Sequence, residues 1–230
     1  MDTPYDIVRL GTVESTQDAA RAARASSTRA MLVIADSQTK GRGRQGRVWV
    51  EPDAALYSSL ALDSVWPVVT RALITLCTAV ALSDAIEGEA DVRTEIKWPN
   101  DLLVRGKKVA GILVEGSGDE ITIGCGVNLW WRSPMDFAAA VLDDRPDDGL
   151  IERLAIAWVD NLLGHLARGP ENWPRQPYLD RSWTVGRTVR WDEGSGKALD
   201  IDAAGGLIVE TPSGIITITA GEVHTTRSED

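Results

Sequence analysis

The sequence predicts an α+β chain in two parts, strand and helix patterns interleaved through residues 1–183 and a small β barrel over 184–230. Short apolar or alternating runs at 5–10, 31–38, 56–63 and 121–128 have the length and period of strands. Residues 69–86 and 150–166 repeat apolar side chains at helical spacing. From Thr184 onward, short β runs alternate with Gly, Asp and Ser turns.

Bulk properties narrow the function. The chain has 230 residues, 43% of them hydrophobic, enough for a sizeable core. Thirty-four acids against 24 bases give a net charge of −10, which argues against a general grip on nucleic acid. No apolar run reaches the ~18 residues of a spanning helix, and the first residues lack the shape of a signal peptide. Cys77 and Cys125 lie in apolar surroundings, as expected for reduced thiols in a cytoplasmic protein. No Cys/His cluster offers a zinc site, and His165 and His224 have no neighbour suited to acid–base work. Catalysis must then lean on Arg, Lys, Asn and Asp.

Taken in order, residues 5–10 alternate as a first strand. Ser15 or Thr16 could cap the Ala-rich helix at 18–25, or face a ligand beside it. The strand at 31–38 leads into Gly41-Arg42-Gly43-Arg44-Gln45-Gly46-Arg47. Its glycines allow close backbone approach, and its guanidinium groups suit carboxylate and phosphate oxygens. Between Asp36 and Trp49 stand four bases and one acid, a local reversal of the chain's sign. The glycine spacing matches the dinucleotide fingerprint, but residues 48–62 read as loop and strand where that motif needs a helix. The P-loop pattern fails as well, because Arg47-Val48 stands at its Lys-Ser/Thr pair. Trp49, beside this loop, offers a face for a purine.

A helix at 69–86 is followed by Lys97-Trp98-Pro99-Asn100-Asp101, where Pro99 forces Trp98 to be extended and ends the strand. Asn100 and Asp101 then occupy a turn, and Asp101 beside Lys97 could equally be a surface ion pair. Residues 102–115 read as a hairpin turning at Gly106. By period two, Lys108 shares a face with Ala110, Ile112 and Val114, an unusual place for a charge. At 121–128, Ile121, Ile123, Cys125 and Val127 form one face, and Thr122, Gly124, Gly126 and Asn128 the other. The two glycines strip that second face, so a flat ring could lie on it; alternatively they mark a bulge or a close crossing. Helices are predicted at 135–142 and 150–166, and a short one over 172–182.

Together, Ser15-Thr16, Gln38, GRGRQGRVW at 41–49, KWPND at 97–101, KKVAGILVE at 107–115 and GCGVN at 124–128 resemble the biotin protein ligases. The resemblance runs from about residue 8 to 130 and is that of a short form of the family. It implies a mixed sheet with flanking helices, shared with lipoate ligases, and a small SH3-like C-terminal domain. It also implies formation of biotinyl-5′-AMP from biotin and ATP, with Mg²⁺, then transfer of biotin to a lysine of a biotin carboxyl carrier domain. By resemblance, Ser15, Thr16, Gln38, Gly41, Arg42, Arg44, Asp101, Lys108, Gly111, Gly124 and Gly126 would surround biotin. Arg47, Trp49, Lys97, Asn100, Lys108 and Asn128 would meet the nucleotide, with Arg44, Lys108, Arg47 and Lys97 catalytic. The metal ligands stay unknown.

Some family members carry an N-terminal helix-turn-helix; this sequence starts at the catalytic motifs and is acidic, so no specific DNA binding is expected. No membrane and a monomer or weak homodimer are expected as well. Glu51 and Asp200 depart from the family pattern. A lipoate ligase on the same fold fits the two-arginine glycine loop less well. A sensor without transfer activity would have lost Arg47, Lys97 or Lys108, and all three are present.

Overall fold

The computed structural model describes residues 3–43, 52–132, 139–147, 149–219, 221 and 223–225. Its first part is a seven-stranded sheet in the order β1-β2-β3-β7-β6-β5-β4. These strands are β1 (Tyr5–Val13), β2 (Ala30–Gln38), β3 (Ala54–Asp63), β4 (Glu95–Lys97), β5 (Asp101–Val104), β6 (Lys107–Ser117) and β7 (Glu120–Trp130). β1 and β2 are parallel, because helix α1 (Thr16–Ala25) carries the chain back between them. Every other pairing is antiparallel, so the sheet is mixed, as expected.

The sheet has two unlike faces. α1 packs on one of them, against β2, β3 and β7. The other is covered by α2 (Ala72–Ala90) and α3 (Leu150–Leu166), which pack on each other. The alternation in β7 sets this division: Ile121, Ile123, Cys125 and Val127 enter the main core, leaving Gly124, Gly126 and Asn128 on the α1 side. α3 buries Leu154, Trp158, Leu162 and Leu166 from one stripe, and Trp158 Nε1 donates to Ser58 Oγ at 3.0 Å. α2 is apolar nearly all round because it lies between the sheet, α3 and the turn at Gly205.

The hairpin joining β5 and β6 turns through Arg105 and Gly106, at φ 52° and 73°, the left-handed pair a two-residue turn requires. The Trp98–Pro99 peptide that follows β4 is cis. Trp98 ties the two parts of the chain together, its backbone N–H donating to Thr184 Oγ1 and its Nε1 to the Gly205 carbonyl.

The C-terminal part is a five-stranded antiparallel sheet, order β11-β10-β9-β8-β12. It comprises β8 (Thr188–Trp191), β9 (Gly194–Ile201), β10 (Leu207–Thr211), β11 (Gly214–Ile218) and β12 (His224–Thr225). Val189, Ala198, Ile201, Leu207 and Val209 join the same continuous core as the seven-stranded sheet. Asp200, a departure from the family pattern, receives Arg175 Nη2 at 2.7 Å from helix α4 (Arg175–Asp180).

Two helix predictions need correction. Residues 139–142 of the helix expected at 135–142 are irregular, and residues 135–138 lie outside those described. There the amides of Ala139, Val141 and Leu142 donate to the carbonyls of Lys108, Asn128 and Leu129, so the ends of β6 and β7 satisfy them in place of a helix. The helix expected over 172–182 is a 3₁₀ turn, Pro170–Asn172, followed by α4, since Pro174 cannot continue a helix begun before it.

Both cysteines are buried, and burial pushes the Cys77 thiol up to about 12 and Cys125 higher still. Ellman's reagent should therefore leave both unmodified in the native protein and titrate both after denaturation. A Cβ on Gly196 would stand 2.3 Å from the Glu210 carbonyl oxygen, whereas one on the helical Gly88 meets nothing within 4 Å. Gly196→Ala should destabilise by about 1–3 kcal/mol or more, and Gly88→Ala should stabilise by roughly 0.5–1 kcal/mol, both read from urea unfolding.

Candidate active site

One transverse row across the sheet brings several of the expected site residues together. Tyr57 on β3 pairs with Gly126 on β7, Gly126 with Gly111 on β6, Gly111 with Asp101 on β5, and Asp101 with Lys97 on β4. Paired residues share a face, so this row presents a buried aromatic, two adjacent positions without side chains, then a carboxylate and an amine. Of the two glycines expected to strip this face of β7, Gly126 lies in the row, and Gly111 stands beside it on β6.

Lys108 reaches the row against the period-two prediction. Leu102 pairs with Ala110 but Leu103 with Lys108, so Val109 is the extra residue of a β-bulge. Val109 turns into the core, where it is fully buried, and Lys108 moves to the glycine face. There its Nζ lies 2.7 Å from Asp101 Oδ1. The core faces of Ala110 and Ile112 are kept, and a charge that would have met α2 is turned to the open side.

The N-terminus of α1 supplies polar groups. Ser15 is the N-cap residue and is buried, yet makes no side-chain capping hydrogen bond. Gln38, at the end of β2, caps the helix instead: its Oε1 accepts Thr16 N at 2.7 Å and Thr16 Oγ1 at 3.0 Å. Ser59 Oγ donates to Thr16 Oγ1 at 2.8 Å. The capping reading for Ser15 is therefore replaced, and its hydroxyl stands beside an ordered Ser59–Thr16–Gln38 chain. Sequence reasoning missed Ser59, although it shares the alternating face of Tyr57 on β3.

The remaining expected residues divide. Asn100 Nδ2 donates to the Ile112 carbonyl at 3.0 Å and anchors the start of β5. Asn128 Nδ2 donates to the Ala139 carbonyl at 3.3 Å, while its Oδ1 is buried without a hydrogen-bond partner. Gly124 is not open to a ligand, because a Cβ there would stand 3.2 Å from Gln17 Cδ and 3.3 Å from Ser59 Oγ. Gly41 is buried at the loop's start. Arg44, Arg47, Trp49 and Glu51 lie outside the described residues. His165 has both ring nitrogens buried without hydrogen-bond partners, and burial lowers its pKa, in keeping with a structural role.

Arg42 goes elsewhere than expected. Its guanidinium forks onto Asp18 of α1 at 2.7 and 2.9 Å, with Glu115 of β6 at 3.5 Å. Arg21 bridges the same two carboxylates, closing a four-residue network. The hydrogen bond from Arg42 is the largest cause holding the Asp18 carboxyl below its usual range, and its partner Arg42 is raised in turn. Asp18 then contributes stability that is present above the ordinary carboxylate range and fades as pH falls through its lowered pKa. Because the pair is partly exposed, Asp18→Asn should cost no more than about 1 kcal/mol at neutral pH. The difference from the unaltered protein should vanish in acid, as measured by urea unfolding across pH 2–7.

Comparison with known proteins places this geometry. Residues 12–128 match the biotin/lipoate A/B protein ligase family, and residues 186–224 the biotin protein ligase C-terminal domain. A bifunctional ligase/repressor BirA of Bacillus spizizenii is 31% identical over 92% of this chain and 71% of its own length. A biotin--[acetyl-CoA-carboxylase] ligase of Paracoccus denitrificans is 32% identical over 83% of this chain and 88% of its own. The biotin protein ligase of Aquifex aeolicus, solved in complex with biotin and ATP, superposes with a TM-score of 0.81 at 27% identity, covering 97% of this chain and 99% of that one. The expected resemblance thus extends over both parts, and the chain belongs to the biotin protein ligases of the biotin/lipoate A/B protein ligase family.

Proposed function

We propose that this chain condenses biotin with ATP on the glycine row, giving biotinyl-5′-AMP and pyrophosphate, and then transfers the biotinyl group to a lysine of a biotin carboxyl carrier domain. The observation that carries this reading is the Asp101–Lys108 pair set against Gly111 and Gly126. A ring can lie on the bare strip while its carboxylate tail meets a fixed ammonium. The reading takes residues 1–183 as the catalytic unit and 184–230 as the C-terminal unit.

In the first step a carboxylate oxygen attacks the α-phosphorus, and the bond to the bridging oxygen breaks with its electron pair leaving on pyrophosphate. Two anions must meet, so fixed cations contribute more than an acid–base residue would. Lys108 holds the carboxylate beside the phosphorus, with Asp101 aiming its amine. Arg44 joins it on the carboxylate, and Arg47 and Lys97 face the polyphosphate. Ser15, Thr16, Gln38 and Gly41 enclose the ring. Arg42, held by Asp18, fixes the entry to the loop. Trp49 stacks on the adenine, for which Asn128 Oδ1 offers a buried acceptor, and Asn100 holds the adjoining strand start. In the second step the neutral amine of the acceptor lysine attacks the acyl carbon, the bond to AMP breaks, and the nitrogen loses its proton.

Mg²⁺ enters this reading with the ATP phosphates, whose charge it offsets. Among the described residues no group of three or more His, Cys, Asp or Glu side chains comes together to hold a metal. No helix among them is long and apolar enough to cross a membrane. With a net charge of −10, the reading includes no operator-DNA binding, and it takes the chain as a monomer or weak homodimer.

Transfer of labelled biotin to a carrier domain, with ATP and Mg²⁺, tests the proposal. Label should reach the carrier's lysine, and Lys108→Ala and Arg44→Ala should each slow it by roughly 10- to 100-fold, as expected for a lost charged hydrogen bond. Tight biotin binding without adenylate or transfer would contradict it.

A further inference from the structure

The turn that joins β4 to β5 stands between two residues of the proposed site. Lys97 closes β4 and Asp101 opens β5, and the two are partners in register. Only Trp98, Pro99 and Asn100 connect them, so three residues decide how the amine and the carboxylate are presented.

β4 cannot fix that turn by itself, being three residues long and at the edge of its sheet. Its outer side is covered by residues 181–183. Ile96 N donates to the Arg181 carbonyl at 2.7 Å, and Trp183 N to the Ile96 carbonyl at 2.8 Å. The turn is held in the same way. Trp98 N donates to Thr184 Oγ1 at 2.9 Å and its Nε1 to the Gly205 carbonyl at 3.0 Å. The Tyr178 hydroxyl, from α4, donates to the Pro99 carbonyl at 3.3 Å.

These anchors are themselves fixed. Tyr178 and Thr184 are fully buried, and the Tyr178 ring meets Trp173 edge-on with centroids 6.1 Å apart. Trp173 Nε1 donates to the Ala203 carbonyl at 2.9 Å, so both indoles seat on the turn between β9 and β10. Asp202 Oδ1 braces that turn by accepting the amides of Ala204 and Gly206. Burial first, and then the Asp101 carboxylate, raise the Tyr178 hydroxyl well above its ordinary range. The phenol therefore stays a neutral donor, and it lies within electrostatic reach of Asp101.

Resting on the adenylation reading above, we propose that Tyr178 and Trp98 are positioning residues for the first step. They clamp the Trp98–Asn100 turn from the core side and act through Asp101, which they keep aimed at the Lys108 amine. The bare strip of Gly111 and Gly126 belongs to β6 and β7, so loosening the clamp slows the reaction and leaves ring binding intact.

The test measures adenylate formation from biotin and ATP by the unaltered protein, Tyr178→Phe and Trp98→Phe, each also in an Asp101→Asn background. Tyr178→Phe removes one oxygen and keeps the ring beside Trp173; Trp98→Phe removes the indole N–H. In both, kcat should fall about tenfold while KM for biotin stays within about twofold. In the Asp101→Asn background the same changes should slow the reaction by less than about twofold further, because residues acting through one group are not additive. Should Trp98→Phe fail to fold, as judged by circular dichroism, Tyr178→Phe decides, since one lost hydrogen bond leaves a domain of ordinary stability folded. An unchanged kcat in Tyr178→Phe would overturn the proposal and leave the phenol a packing group. So would an equal loss with and without the Asp101 carboxylate, or a loss carried by KM for biotin alone. If the unaltered protein makes no adenylate from biotin at all, the functional reading fails, and the roles of Tyr178 and Trp98 with it.

Discussion

Side chains on paired strands stand in transverse rows, and a row can be emptied only where each strand crossing it carries glycine. In this sheet Gly126 and Gly111 meet on adjacent strands, and the row continues into Asp101 and Lys97. At both glycine positions the row carries no side chain. A side chain at either one would project into that strip and narrow it. The other elements of the catalytic part arrange themselves about this row: α1 on its open side, α2 and α3 filling the back.

The bulge at Val109 brings a charge to the end of this row. One extra residue lets β6 satisfy two demands that strict alternation sets against each other. Ala110, Ile112 and Val109 stay in the core, and Lys108 still reaches Asp101 on the opposite face. The neutral groups at the other end are fixed in the same economical way. Gln38 takes over the helix cap, so that Ser15 keeps its hydroxyl, and the Ser59–Thr16–Gln38 chain directs the hydroxyl protons of Ser59 and Thr16. The C-terminal sheet shares the core and grips Trp98 next to the row, so the two parts of the chain are coupled directly at the site.

Much of this was legible in the sequence. The alternation of residues 121–128 gave the correct two faces of β7, and the motifs at 97–101 and 107–115 named Asp101, Lys108 and Gly111 correctly as neighbours. The bulge was not legible, because one inserted valine at the head of an apolar run leaves no mark in composition and inverts the face of everything before it. Gly124 was misjudged for a related reason. A glycine on a ligand face looks the same whether it admits a ring or the side chain of a helix packed above it. Arg42 was assigned by its loop, whereas its partner Asp18 lies 24 residues earlier and meets it only through the β1-α1-β2 crossover. Strand β9 opens with Gly194-Ser195-Gly196-Lys197, which carries no apolar alternation, and Gly196 is required there by the Glu210 carbonyl on the next strand.

The central claim is that Lys108, turned by the bulge, serves a ligand lying on the glycine row. A crystal structure of the protein with biotin and a non-hydrolysable ATP analogue tests it most directly. The account predicts the bicyclic ring against Gly111 and Gly126, with Lys108 Nζ within about 3 Å of the biotin carboxylate, hydrogen-bonding distance. A ring seated away from that row, or a carboxylate held by other groups while Lys108 stays on Asp101 alone, would contradict it.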